Sequence, residues 1–65
     1  MPEFQISLAA ARINAGLTQE EVAKALRVKT QTVINWETGN GEPAISQGRE
    51  LSILFNIPLE YIFFT

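Results

Sequence analysis

Two amphipathic helices with almost nothing between them constrain this chain more than any other feature. Across residues 17–39 the sequence runs LTQEEVAKALRVKTQTVINWETG. Thr18 is a good helix N-cap, and Glu21 three positions later completes an S/T-x-x-E capping box, in which each side chain satisfies a backbone N–H of the other. Val22, Ala23 and Leu26 recur at helical spacing and define a buried stripe. Arg27 and Val28 are left for the turn. A second helix is expected over 29–38, stopped by Gly39 in the left-handed conformation. Two helices joined this tightly must cross and bury their seams against further elements.

At about 100° per residue, Val33 and Trp36 of the second helix fall on one side, flanked by Thr32 and Lys29. Thr30, Gln31, Ile34, Asn35 and Thr38 fall on the other. An amide can form paired hydrogen bonds with the major-groove edge of adenine, and Thr or Ile can contact a thymine methyl. The plainer alternative is an amphipathic helix facing water, although such faces are usually richer in Lys and Glu.

The flanking residues carry a resemblance. AARINAGLTQEEVAKALRV, then TQTVINWETG, then Pro43, is similar to the Cro/C1-type (XRE-like) helix-turn-helix family of regulators. The matching positions are Arg12, Gly16 to Gln19, Glu21 to Ala23, Val28, Val33, Glu37 and Gly39, continuing through Leu51, Phe55 and Ile57. The resemblance implies an all-α bundle of five short helices of the lambda-repressor-like type. It also implies an Arg12–Glu37 pair locking the first helix to the third, and a Gln19 that grips a phosphate at a helix N-terminus. The implied function is sequence-specific transcriptional regulation, most simply repression, with helix 29–38 in the major groove of a palindromic operator.

On that reading Thr30, Gln31, Ile34 and Asn35 contact bases, while Arg12, Gln19, Lys29, Thr38 and Asn40 contact or position the backbone. Three departures from the family pattern stand out. Lys29 occupies an entry position where Ser, Thr or Asp is usual, so it cannot cap, and Thr30 is expected to take over. Glu42 stands where a base often grips the DNA backbone. Gly48 replaces a large apolar residue and leaves room for another element to approach.

Length and composition set the rest. At 65 residues the chain has room for one domain, 1–65. A chain of this size buries only about 60% of its unfolded surface and gains from a partner. It has neither Cys nor His. That excludes thiol and Ser–His catalysis and the usual zinc sites, and no metal, cofactor or small-molecule ligand is expected. Glu20 and Glu21 are adjacent on a helix and splayed by about 100°, so they suit capping and the helix dipole better than paired acid–base work. No membrane span or secretory leader is expected, since the apolar stretch 4–11 is short and interrupted; the expected location is the cytoplasm.

The net charge of −2 is unlike that of a generic nucleic-acid coat. Yet Arg12, Lys24, Arg27 and Lys29, four of the five basic residues, lie in or just before the helix-turn-helix, interspersed with Glu20, Glu21 and Glu37. A module that binds protein instead of DNA, or an antitoxin-type regulator binding both, is the alternative on the same fold.

Toward the ends, a first helix is expected over 5–15 with Leu8, Ala11 and Ala15 facing inward. Gly16 ends it. A fourth helix is expected over 45–55, and Pro58 opens a fifth. Leu59, Tyr61, Ile62, Phe63 and Phe64 exceed what one small core needs. They mark a self-complementary surface for a homodimer, with the plainer possibility that the segment folds back to close the core. The size and the absence of a sensor domain resemble a Cro-like phage or prophage regulator.

Overall fold

In the computed structural model, which describes residues 5–64, the first helix starts later than the apolar spacing suggests. Ser7 is the reason: its Oγ accepts the Ala10 N–H at 3.1 Å, making it the N-cap of α1 (Leu8–Asn14). Ile6–Ser7 before it is extended and forms β1. Leu8 and Ala11 are buried as expected, but Ala15 is exposed. It sits past the last helical residue, where the chain turns out through Gly16 at φ 74°. Phe4, the first residue of the stretch weighed as a leader, lies outside the described residues.

α2 (Gln19–Leu26) begins on the capping box. The Glu21 N–H donates to Thr18 Oγ1 at 3.0 Å, and the Thr18 N–H donates to Glu21 Oε1 at 2.8 Å. Its stripe of Val22, Ala23 and Leu26 is buried. The helix ends on Arg27 in the left-handed region, φ 60°, and the Val28 N–H closes the turn on the Ala23 carbonyl at 2.9 Å. Three residues, Arg27 to Lys29, separate α2 from α3 (Thr30–Glu37). Lys29, not Thr30, holds the N-cap backbone geometry, and its side chain makes no capping bond. Thr30 is the first helical residue, so the expected takeover of the cap does not occur.

α4 (Ile45–Phe55) has the expected bounds, and Gln47 Oε1 accepts the Ala44 N–H at 2.8 Å. Gly48 is buried, and a Cβ built there would lie 3.3 Å from Leu59 Cδ1. The room left by this glycine is taken by the segment after Pro58.

That segment is not a fifth α-helix. Leu59–Tyr61 forms a single 3-10 turn, and Ile62–Phe63 then forms β2, parallel to β1 in the register Ile6↔Ile62 and Ser7↔Phe63. A segment this short nucleates a helix poorly, and Ile and Phe suit an extended, half-buried backbone. The described residues therefore form four α-helices, one 3-10 turn and a two-stranded parallel sheet. The core collects Leu8 and Ala11 from α1, Val22, Ala23 and Leu26 from α2, Val33 and Trp36 from α3, Leu51 and Phe55 from α4, and Ile62 from β2.

Candidate nucleic-acid interface

Val33, fully buried, and Trp36, 4% exposed, anchor α3 to the core. The opposite side therefore carries Gln31 and Thr38 exposed, with Thr30, Ile34 and Asn35 half-buried. No residue of that side is charged. Lys29 stands exposed at the helix entry, where no side chain caps the N–H groups of the first turn.

A polar latch fixes the orientation of α3. Arg12 Nε donates to Glu37 Oε2 at 2.7 Å, Nη2 donates to Oε1 at 3.3 Å, and Nη1 donates to the Leu17 carbonyl at 3.0 Å. The fork geometry of a guanidinium suits this bidentate contact. The two side chains are 15% and 6% exposed, so water competes little for them. Gln19 joins the same carboxylate, its Nε2 donating to Glu37 Oε1 at 3.0 Å. Residue types and spacing do not reveal this third member, because it comes from the start of α2. With one N–H committed to Glu37, the Gln19 amide retains its second N–H, beside the N-terminus of α2.

Beyond α3 the backbone turns at Gly39, φ 80°. Asn40 Nδ2 donates to Thr38 Oγ1 at 3.1 Å, and Thr38 Oγ1 donates to the Ile34 carbonyl at 2.9 Å. The Asn40 N–H donates to the Asn35 carbonyl at 2.8 Å. Thr38 and Asn40 thus brace the end of α3 against its own last turn. On the helix face, Gln31 Nε2 donates to Asn35 Oδ1 at 3.0 Å. This bond was open to inference from the i, i+4 spacing of the two amides.

Lys24, Arg27 and Lys29 are exposed around the helix-turn-helix, as are Glu20 and Glu21, so the surface there is of mixed sign. The tail residues assigned to a self-complementary patch are dispersed. Ile62 is buried in the core, Phe64 packs against it, Leu59 lies over Gly48, and Phe63 is 38% exposed. Larger apolar exposure occurs elsewhere, at Ile53 and Ile45 on α4 and at Ile13 on α1. Among the described residues no group of His, Cys, Asp or Glu is arranged to hold a metal ion. No helix among them is long and apolar enough to cross a membrane.

The arrangement defines a class first: a helix-turn-helix domain whose third helix is latched to its first, with an uncharged polar face turned outward. The family model described as helix-turn-helix matches residues 8–62, and the chain belongs to that family, of the Cro/C1 type. It is similar to an uncharacterized HTH-type transcriptional regulator of Archaeoglobus fulgidus, 33% identical over 52 residues, which covers 80% of this chain and 74% of that protein. A second uncharacterized HTH-type transcriptional regulator, from Methanocaldococcus jannaschii, is 38% identical over 47 residues, covering 72% of this chain and 71% of its own. No solved structure matches the chain. Family membership places it with DNA-binding transcription regulators and not with enzymes.

Proposed function

We propose that this chain is one helix-turn-helix domain over residues 1–65 and a cytoplasmic repressor, Cro- or C1-like, of the kind that phages and prophages use. Thr30, Gln31, Ile34 and Asn35 read base edges in the major groove. Gln19, Lys29, Thr38, Asn40 and, through its latch, Arg12 fix the register on the phosphates. The observation that carries this reading is the charge-free outer face of α3, held by Val33 and Trp36 on one side and by the Arg12–Glu37–Gln19 network at its end.

One recognition helix specifies only a few base pairs, so useful discrimination needs two copies on a palindromic operator, with recognition helices about 34 Å apart. The homodimer meets through the C-terminal end, where Phe63 is the exposed aromatic and Leu59, Tyr61 and Phe64 border it. The alternative, a protein-binding or antitoxin-type module, draws on a different observation. Ile53 and Ile45 on α4 are 80% and 74% exposed, on a chain of net charge −2.

Selection of bound duplexes from a random pool tests the proposal. An enriched two-fold motif is expected, with affinity falling as salt rises, at a slope of about −0.9 per phosphate for roughly 3–6 phosphates per half-site. Retention of no duplex at ~50 mM salt, where such contacts are strongest, overturns it in favour of the protein-binding module.

A further inference from the structure

The chain has four asparagines and no aspartate, and the residue after each asparagine governs how durable its amide is. An asparagine is open to attack at Cγ by the main-chain nitrogen of the next residue. Attack is easiest where that N–H is free of a hydrogen bond and no side chain stands in the way. Ala15, after Asn14, donates its N–H to the Ala11 and Arg12 carbonyls at 3.0 and 3.1 Å. Trp36, after Asn35, lies inside α3. Ile57, after Asn56, donates its N–H to the Ser52 carbonyl at 3.1 Å.

Gly41, after Asn40, differs from all three. Among the described residues its N–H makes no hydrogen bond. Both Asn40 and Gly41 are exposed in the loop between α3 and α4. Beyond its chain neighbours, nothing lies within 4 Å of a Cβ built on Gly41. Its φ of 147° favours glycine, so the fold keeps the least hindered residue at this position.

We propose that Asn40–Gly41 is a self-modification site whose hydrolysis to a carboxylate weakens the chain's grip on DNA. The Gly41 nitrogen bonds to Asn40 Cγ and the Cγ–Nδ2 bond breaks. The departing nitrogen takes the Gly41 proton and leaves as ammonia. Water then opens the cyclic imide at either carbonyl, giving aspartate or isoaspartate at position 40. One water is consumed and one ammonia released, with no redox change.

The nitrogen that leaves is a structural donor. Asn40 Nδ2 donates to Thr38 Oγ1 at 3.1 Å, and the Thr38 hydroxyl donates its own proton to the Ile34 carbonyl at 2.9 Å. In the aspartate product a carboxylate oxygen faces Thr38 Oγ1 with no proton between them, and the brace at the end of α3 opens. In the isoaspartate product the main chain runs through Cγ and is a methylene longer. Either product adds a negative charge two residues from Glu42, on the loop that follows α3, and like charge repels a phosphate. The site stands on the loop alone, while its effect rests on the DNA-reading function proposed above.

The test ages full-length wild type and Asn40→Gln at neutral pH for days, with fresh Asn40→Asp as the end-product standard. Peptide mapping with isoaspartate detection locates each change, and anion exchange separates modified from unmodified chains for binding to the selected duplex. Aspartate and isoaspartate are expected at position 40 before any change at Asn14, Asn35 or Asn56. Because the unaged chain has no aspartate, both products are read without background. Asn40 reacting no faster than the other three overturns the site. The modified wild-type fraction and Asn40→Asp are expected to bind about tenfold more weakly than fresh wild type; equal binding overturns the effect. Asn40→Gln closes a larger ring more slowly, so its affinity, whatever its starting value, is expected to hold through ageing. A loss there at the wild-type rate overturns the assignment to Asn40. If fresh wild type binds no duplex, the DNA-reading function fails, and the mapping still decides whether the site exists.

Discussion

The helix-turn-helix and the tail after Pro58 are both rich in apolar residues, but they reach their structures by opposite routes. In α2 and α3 the groups that start and stop each helix lie a few positions from what they satisfy. Thr18 and Glu21 cap one another, Val28 closes on Ala23, and Asn40 closes on Asn35. In the tail, two local bonds, from the Tyr61 N–H to the Pro58 carbonyl and from the Ile62 N–H to the Leu59 carbonyl, hold the 3-10 turn, and the strand that follows is ordered by pairing with β1 near the other end of the chain. A local element can be weakened by degrees. A non-local one is kept only while the core that seats it is intact.

The sharpest way to break this contrast is Ile62→Ala. Ile62 is 7% exposed and contributes to the core while β2 pairs with β1. Its truncation is expected to cost about 3 kcal/mol, within the usual range for buried Ile. Phe63→Ala, at a 38% exposed neighbour, is expected to cost well under half of that. Urea unfolding followed by the emission of Trp36 measures both. Equal, small costs would mean that the tail is an accessory and not a wall of the core.

Next in size is the latch, which joins residues distant in sequence, like the tail, but through charge. Glu37→Ala leaves the 15% exposed guanidinium of Arg12 with only the Leu17 carbonyl, and removes the partner of Gln19. A loss of about 2 kcal/mol is expected for either single change, Arg12→Ala or Glu37→Ala, because a largely buried charge loses its counterion. The double variant is expected to lose less than the two singles added together. A double-mutant cycle with no coupling would reduce the pair to a surface contact.

How much of this was legible follows the same division. The capping box, the α2 stripe, the α3 faces and the bounds of α4 are written in residues three or four apart, where propensity and spacing act directly. The Arg12–Glu37 contact was available only through the family resemblance, since nothing local joins positions on α1 and α3. Leu59, Ile62 and Phe63 fit a helical face, but two of the three fit a strand equally well, and periodicity over so few residues does not separate the two. β1 was missed for the same reason, although Ser7 is a readable N-cap that would have shortened α1. On the site, spacing exposed the outward face of α3 but not that Gln19 joins the Arg12–Glu37 pair.

On the local side, Thr18→Ala is expected to cost about 1 kcal/mol, the usual worth of a side-chain N-cap. It removes the acceptor of the Glu21 N–H and nothing distant. Amide exchange is the measurement: faster exchange confined to the first turn of α2 is expected, with β2 protected as before. Exchange rising equally in β2 would show that the two regions unfold as one unit, and would remove the distinction drawn above.

The smallest expected effect has the opposite sign. Arg27 ends α2 at φ 60° and ψ 41°, a left-handed conformation that costs a residue with a Cβ about 1–2 kcal/mol. Glycine adopts it without that cost, but gains freedom in the unfolded chain worth about 0.4–1 kcal/mol. The difference leaves Arg27→Gly more stable by roughly 0–1.6 kcal/mol, centred near 0.8, since the first effect is on average the larger. Arg27 is exposed, and among the described residues its side chain makes no hydrogen bond or ion pair with α3, so little packing is lost in exchange. Its positive charge beside the turn is the reason for keeping a strained residue if the DNA-reading function holds. Arg27→Gly should then bind duplex more weakly, with a salt slope shallower by about 0.9, one phosphate contact, while unfolding at higher urea. A variant that is stabilised but keeps the wild-type salt slope would place Arg27 outside the phosphate contacts. A destabilised one would mean that the turn depends on side-chain interactions of Arg27 and not on backbone geometry alone.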